Sequence, residues 1–305
     1  MSKKPKVGMW SGLTAVTAVL TAGAIVGTTV AFHYTTTVNN YLDADTYKII
    51  RGDSDEDTEY FKSDFTSDEE RESYEAELCA QVEAEGAALL KNDNNALPLA
   101  SGAKVSLFGH GSVDLMYGGT GSGSVDTSKA PNFKQALEDQ GIQVNSTLWD
   151  LYSSDDMMKN YSRITPAAIS DTLEANTQYA VNEAPWSKLS SAESSFADYG
   201  DAAIVVFSRS GGEGADLPSG ENGTNDSWIK GQEGDGNYLA LSAEEKELLQ
   251  NLKTLKDNGT FKKIIVLINS SNAIEMDFLN PEICGEDYGI DSAMWIGDVG
   301  QTGIN

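Results

Sequence analysis

The chain has 305 residues, 40 % of them hydrophobic, which is enough for one or two domains with a real core. Its 47 acidic residues against 21 basic ones give a formal charge of -26, which repels nucleic acid and anionic membrane surfaces at long range and argues against a nucleic-acid partner. Cys79 and Cys284 cannot build a disulfide framework and neither has a CxxC partner, so both are expected as ordinary buried thiols. With only His33 and His110 in the chain, a histidine-based metal site or a Ser/His/Asp triad is a poor reading.

Lysines at positions 3, 4 and 6 precede an uncharged run from Val7 to Phe32. That run is long enough to cross a bilayer as a helix, and longer than the roughly 7 to 15 apolar residues of a secretory signal core. No clear small-x-small cleavage site follows, so an uncleaved anchor is favoured over a cleaved signal. Lysines before the span stay in the cytoplasm and leave everything after His33 outside. The expected domains are an anchor over 1–37, an acidic spacer over 38–66 and a folded domain over 67–305. The spacer is dense in Asp and Glu, buries little, and lacks the glycine and terminal glutamate of a calcium-binding EF-hand loop.

A helix should start near Ser67, with Glu70 completing a capping box, and carry Leu78, Val82, Ala87 and Leu90 on one face until LLKNDNNALPL stops it. Val105–Phe108 reads as a short buried strand followed by the glycine-rich loop GHGSVDLMYGGTGSG. Phe133–Leu137 reads as a helix and Ile142–Val144 as a strand. The segments Trp149–Lys159 and Pro166–Val181 read as helical. A second capping box, Ser242 with Glu245, opens a helix carrying Leu248, Leu249, Leu252 and Leu255, and Lys263–Asn269 and Ala293–Ile296 are further buried strands. Strands alternating with helices imply an α/β fold, a doubly wound, mostly parallel sheet.

The organising stretch is AAIVVFSRSGGEGAD, Ala202 to Asp216. Its apolar, β-branched half is a strand covered on both faces. Its second half is a tight loop at that strand's C-terminal end, where open α/β sheets present functional groups. Glu213, a lone carboxylate among glycines, is therefore the main catalytic candidate; the plain alternative is a solvated loop glutamate. A polar insertion, Leu217–Tyr238, follows as a surface loop. The run GGTGSG, Gly118 to Gly123, lacks the GK[ST] ending of a P-loop and the strand-to-helix setting of a dinucleotide fingerprint. It suits a loop that brings backbone and the Ser122 hydroxyl close to a ligand, or a plain turn.

LLKNDNNALPL, VSLFG, YGGTGSG, IVVFSRSGGEGADLP, IIVLINSSNAIEM and MWIGDVGQTG, in this order between Leu89 and Gly303, resemble the α/β-sandwich domain of family 3 glycoside hydrolases, the β-glucosidase group. The resemblance implies a retaining β-glycosidase acting on a β-glucoside or oligosaccharide, with no metal or organic cofactor. A barrel domain supplies the aspartate nucleophile and the sandwich domain supplies the acid/base glutamate. That role falls on Glu213. Ser122, Gly121 and Gly123 would reach the sugar. Retaining chemistry needs two carboxyl groups about 5 to 5.5 Å apart, and the protonating one needs a raised pKa, which an apolar or anionic setting supplies as the domains close.

The sequence departs from the family in three ways. A barrel needs about 250 residues, and nothing before Glu75 forms one. No Ser-Asp-Trp nucleophile motif is present: Asp226-Ser227-Trp228 has the wrong order. Leu217 stands where many relatives have Arg after the EGxD motif. A sandwich placed directly after the anchor implies the reversed domain order, and the ending GQTGIN implies the N-terminal part of a longer enzyme. A non-catalytic glycan- or protein-binding module is the rival expectation.

Overall fold

The computed structural model describes residues 7–42, 61–128, 130–165, 179–213, 217, 237–302 and 304. The chain divides into two units, Met1–Asp64 and Phe65–Asn305.

In the first unit Val7–His33 forms one helix, α1, followed by a short helix α2, Thr35–Tyr41. Trp10–His33 is long and apolar enough to cross a membrane; an N-terminal signal sequence has the same character. Its threonines do not spoil that character. Thr14, Thr17, Thr28 and Thr29 each donate their hydroxyl to the carbonyl four residues back, at 2.8–2.9 Å, so these four hydroxyls are satisfied within the helix. Most of the acidic spacer, residues 43–60, lies outside the described residues.

The second unit is built on a six-stranded sheet. Its strands are β1 (Ala88–Asn92), β2 (Lys104–Phe108), β3 (Gln143–Val144), β4 (Ala202–Ser208), β5 (Ile264–Asn269) and β6 (Ser292–Trp295), in the spatial order β1-β6-β5-β4-β2-β3. All neighbours are parallel except β1, which pairs antiparallel with β6 at the edge. Every residue of β4 is buried, which is why it reads as an unbroken apolar run. Ala203, Val205 and Phe207 enter a core with Phe108, Phe196, Phe261 and the helix α7 (Ala243–Asp257). Ile204 and Val206 enter a second core on the other face with Val105, Leu107, Val144 and Phe133 of the helix α4 (Phe133–Asp139). The helix α7 forms where its capping box predicts, with both reciprocal Ser242–Glu245 bonds made and Leu248, Leu249 and Leu252 buried.

Several expectations need correction. The helix α3 spans Asp68–Gly86 and stops at its glycine, so LLKND is not a helix tail but the edge strand β1. Antiparallel pairing with β6 satisfies that backbone instead, with a bulge between Leu89 and Lys91. Ser67 caps α3 as predicted, but the Glu70 carboxylate turns back to the amide and hydroxyl of Thr66. The supposed inner face is out: Leu78, Val82 and Leu90 are exposed, and α3 rests on its Arg71, Ala76, Ala80 and Glu83 side. Cys79 is exposed on α3 and Cys284 is half-buried; both are free thiols. The segment Trp149–Lys159 is two helices, α5 (Ser146–Tyr152) and α6 (Asp155–Asn160), because Ser154 caps the second. Of Pro166–Val181, residues 166–178 lie outside the described residues, and Tyr179–Val181 is not helical: Ala180 bridges antiparallel to Ile164.

Candidate functional site

The chain runs from β2 outward to β3, then crosses back over β2 to β4 and continues away through β5 and β6. Winding direction reverses between β2 and β4, and loops leaving the C-terminal ends of such a pair diverge and open a crevice. The loop after β2 carries His110 to Gly123, and the loop after β4 carries Arg209 to Glu213. Glu213 and Ser122 thus reach the same place from opposite sides of the switch.

The β4 loop is anchored from its base upward. Arg209 is fully buried and uses all five of its N–H donors. Its Nε donates to the Tyr238 carbonyl at 2.7 Å, and Nη1 and Nη2 donate to the Ser208 and Ala240 carbonyls at 3.0 and 2.7 Å. The remaining two close a bidentate pair with Glu245, at 2.8 and 2.7 Å. One residue on, the Tyr238 hydroxyl accepts the Ser210 amide at 2.8 Å and donates to the Ser210 carbonyl at 3.1 Å. At the end of β5, Asn269 accepts the Met116 amide and the Ser208 hydroxyl, and donates to the carbonyls of Met116 and Gly297. It ties the β2 loop, β4 and the end of β6 to one side chain.

Above that base the two loops touch through glycine. Thr120 donates its amide to the Gly211 carbonyl at 3.3 Å and bridges Gly212, whose φ of 153° is closed to most side chains. A Cβ at Gly121 (φ 67°) would lie 2.7 Å from the Glu213 Cβ and 2.8 Å from its Oε2, so only glycine fits there. The Ser122 amide donates to Glu213 Oε2 at 2.9 Å, and the Ser122 hydroxyl donates to the same oxygen. These two bonds hold the exposed Glu213 carboxyl below its ordinary pKa, the hydroxyl contributing more than the amide. The sign is opposite to the raised value expected of a proton donor. Gly123 has open space around its Cα and serves the turn, its amide donating to the Thr120 carbonyl at 3.3 Å. Of the predicted sugar-facing residues, Ser122 and Gly121 meet Glu213 and Gly123 does not.

Sequence reasoning missed the supports. Tyr179 is fully buried, stacks on Tyr238 with ring centroids 5.8 Å apart, and its hydroxyl lies 3.2 Å from Thr120 Oγ1. The Thr120 hydroxyl in turn donates to the Glu213 carbonyl at 3.0 Å. Glu183 is buried at the root of the β2 loop, accepting the His110 amide at 2.7 Å and the Ala184 amide at 2.9 Å. Burial pushes its pKa up to about 7; the His110 charge and the two amides oppose that push and Glu245 adds to it. His110 Nε2 sits 3.2 Å from Asp114, which also pairs with Arg163 at 3.0 Å. Glu245 was visible as a capping residue, but its pairing with Arg209 was not, and Tyr179 was hidden at the end of an expected helix. Among the described residues no group of three or more His, Cys, Asp or Glu is placed to hold a metal ion.

A family model for the glycosyl hydrolase family 3 C-terminal domain matches residues 87–303. A β-glucosidase of Ruminococcus albus is 29 % identical over 230 residues, covering 74 % of this chain and 20 % of its own length. β-Glucosidase A of Butyrivibrio fibrisolvens is 31 % identical over 216 residues, covering 65 % of this chain and 23 % of its own length. β-Glucosidase 3B from Thermotoga neapolitana, solved in complex with α-D-glucose, superposes with a TM-score of 0.54 at 25 % identity, over 76 % of this chain and 28 % of that one. The chain therefore spans about a fifth to a quarter of the length of the curated relatives it matches. With the family model covering well over half of its residues, the chain belongs to glycosyl hydrolase family 3, whose C-terminal domain it carries.

Proposed function

We propose that this protein is the acid/base half of a β-glucosidase-like retaining glycosidase that hydrolyses O-glycosyl bonds of a β-glucoside or oligosaccharide. Glu213 acts as the general acid and then the general base. The observation that carries the reading is the convergence of Glu213 and Ser122 from the two loops flanking the β2/β4 switch point. Glucose in the Thermotoga relative, and the two curated relatives being β-glucosidases, support a glucoside as the substrate class. In this reading Ser122, Gly121 and Gly123 line the sugar side of the loop. A barrel domain supplies the nucleophilic carboxylate, and the three domains run as anchor (1–37), spacer (38–66) and sandwich (67–305). The apolar helix α1 serves as a single-pass anchor with the folded domain outside the cell.

Ser122 stabilises the ionised form of Glu213, which suits the second, base-catalysed half of a retaining reaction. Protonating the leaving group first needs the opposite shift. An approaching second carboxylate supplies it by like-charge repulsion. The lowered value also favours the second reading, a membrane-anchored module that binds glycan or protein without catalysis. Hydrolysis of p-nitrophenyl β-D-glucoside by the longer enzyme that carries the barrel domain, and by its Glu213→Gln variant, with and without azide, decides between them. Loss of turnover with partial azide rescue supports the acid/base role, and turnover unchanged in Glu213→Gln removes it.

A further inference from the structure

The loop that presents Ser122 is gripped twice by one short stretch of chain. At its root, the His110 amide is taken by Glu183 Oε2 at 2.7 Å. Near its tip, Thr120 Oγ1 is 3.2 Å from the Tyr179 hydroxyl. The Thr120 proton is already directed to the Glu213 carbonyl, so the Tyr179 hydroxyl is the donor of that pair. Tyr179 and Glu183 stand four residues apart, both buried, with backbone between them that cannot slide. Ala180 exchanges two hydrogen bonds with Ile164, at 2.9 and 3.0 Å. Asn182 takes a left-handed conformation (φ 53°) and donates its side-chain amide to the carbonyls of Asn160 and Ser162, at 3.1 and 2.8 Å. The second oxygen of Glu183 accepts the Ala184 amide at 2.9 Å, which fixes the carboxyl group against its own backbone.

We propose that Glu183 is a positioning residue for Glu213: it locks the strut Tyr179–Glu183 to the root of the β2 loop, and the strut sets where Thr120 and Ser122 hold the Glu213 loop. The inference rests on Glu213 being the acid/base. Glu183 touches no reacting atom in this scheme and works only through geometry. A carboxyl buried simply to fill space would be replaceable by its amide. A strut would not tolerate the change, because Gln presents an NH2 group to one of the two amides that Glu183 accepts.

The test uses Glu183→Gln and Tyr179→Phe, singly and together, in the longer enzyme that joins this chain to its barrel domain. Amide hydrogen exchange is followed at residues 118–124, where Thr120, Ser122, Gly123 and Ser124 donate to Gly211, Glu213, Thr120 and Gly121, and at β5 as an internal control. Either variant should speed exchange at 118–124 by about tenfold and leave β5 unchanged. On the aryl glucoside kcat should fall about tenfold with KM within about twofold, and the double variant should be no worse than Glu183→Gln alone. Unchanged exchange at 118–124, unchanged kcat or additive losses would overturn the proposal. Should Glu183→Gln loosen β5 as well, Tyr179→Phe decides alone by the same two readings. Glu213→Gln is run in parallel: if it hydrolyses like the parent, the acid/base reading falls, while the exchange result still reports whether Glu183 holds the loop.

Discussion

At the base of the β4 loop Glu245 is 1 % exposed and takes two N–H groups from Arg209 and one from the Ser242 backbone. Four residues further along the chain from Arg209, Glu213 stands in solvent and, among the described residues, takes both donors to its carboxylate from Ser122. The first carboxylate takes its three hydrogen bonds from elements that pack the core, so its environment is fixed by the fold. The second is answered by one loop residue reached across the crevice, so its environment changes when that loop moves or a ligand intervenes. Buried hydrogen bonds are concentrated at the base and the exposed carboxylate stands at the tip, with Gly211 and Gly212 between them.

The comparison breaks most plainly if the tip carries no chemistry. Glu213→Gln should cost about 100- to 10,000-fold in kcat on p-nitrophenyl β-D-glucoside, with azide restoring part of it. At the base, Arg209→Met leaves Glu245 buried and unpaired and should destabilise the fold by about 3–5 kcal/mol in urea unfolding, with Arg209→Met/Glu245→Gln recovering part of that loss.

Glu183 gives the base a pH signature. Its folded pKa of about 7 lies above the ordinary 4.5, so the unfolded chain releases the proton first as pH rises. Its contribution to stability is therefore complete below about pH 4.5 and is lost on the way to about pH 7, a change on the order of 3 kcal/mol. The groups that bias it are His110, which favours the ionised form, and Glu245, which opposes it. Thermal unfolding across this range should show the slope in the parent and a flatter one in Glu183→Gln. At the tip, Ser122→Ala removes the donors' larger member, so the Glu213 pKa should rise and the alkaline limb of the pH–rate profile should move to higher pH. The smallest effect belongs to α3, where Val82→Lys on the exposed side should change stability by less than about 0.5 kcal/mol.

The parts legible in the sequence are those whose environment is written locally. β4 and β5 are apolar on both faces and read as unbroken runs, and α7 announces itself by Ser242 and Glu245 three residues apart. Glu213 stood out as a candidate because glycines flank it, and the close approach of its loop to the Thr120–Ser122 loop shows at Gly121 and Gly212, where any Cβ would collide with the neighbouring loop. What was not legible depends on partners far along the chain. Glu183 meets His110 across 73 positions, and Arg209 meets Glu245 across 36. The α3 face was misread because Leu78 and Val82 have helical spacing but no covering surface among the described residues, and β1 because LLK is equally at home in a helix end and an edge strand.

The two borders of the sheet have a consequence for life at high protein concentration. An open border of unpaired amides and carbonyls invites a neighbouring molecule to add its own strand and seed a fibre. Here one border, β3, is only two residues long, and the other, β1, is interrupted by the bulge between Leu89 and Lys91, with Lys91 facing Asp93 at 3.4 Å. Neither offers a long, flat template, so the exposed Leu89 and Leu90 sit on a border that resists head-on stacking between copies.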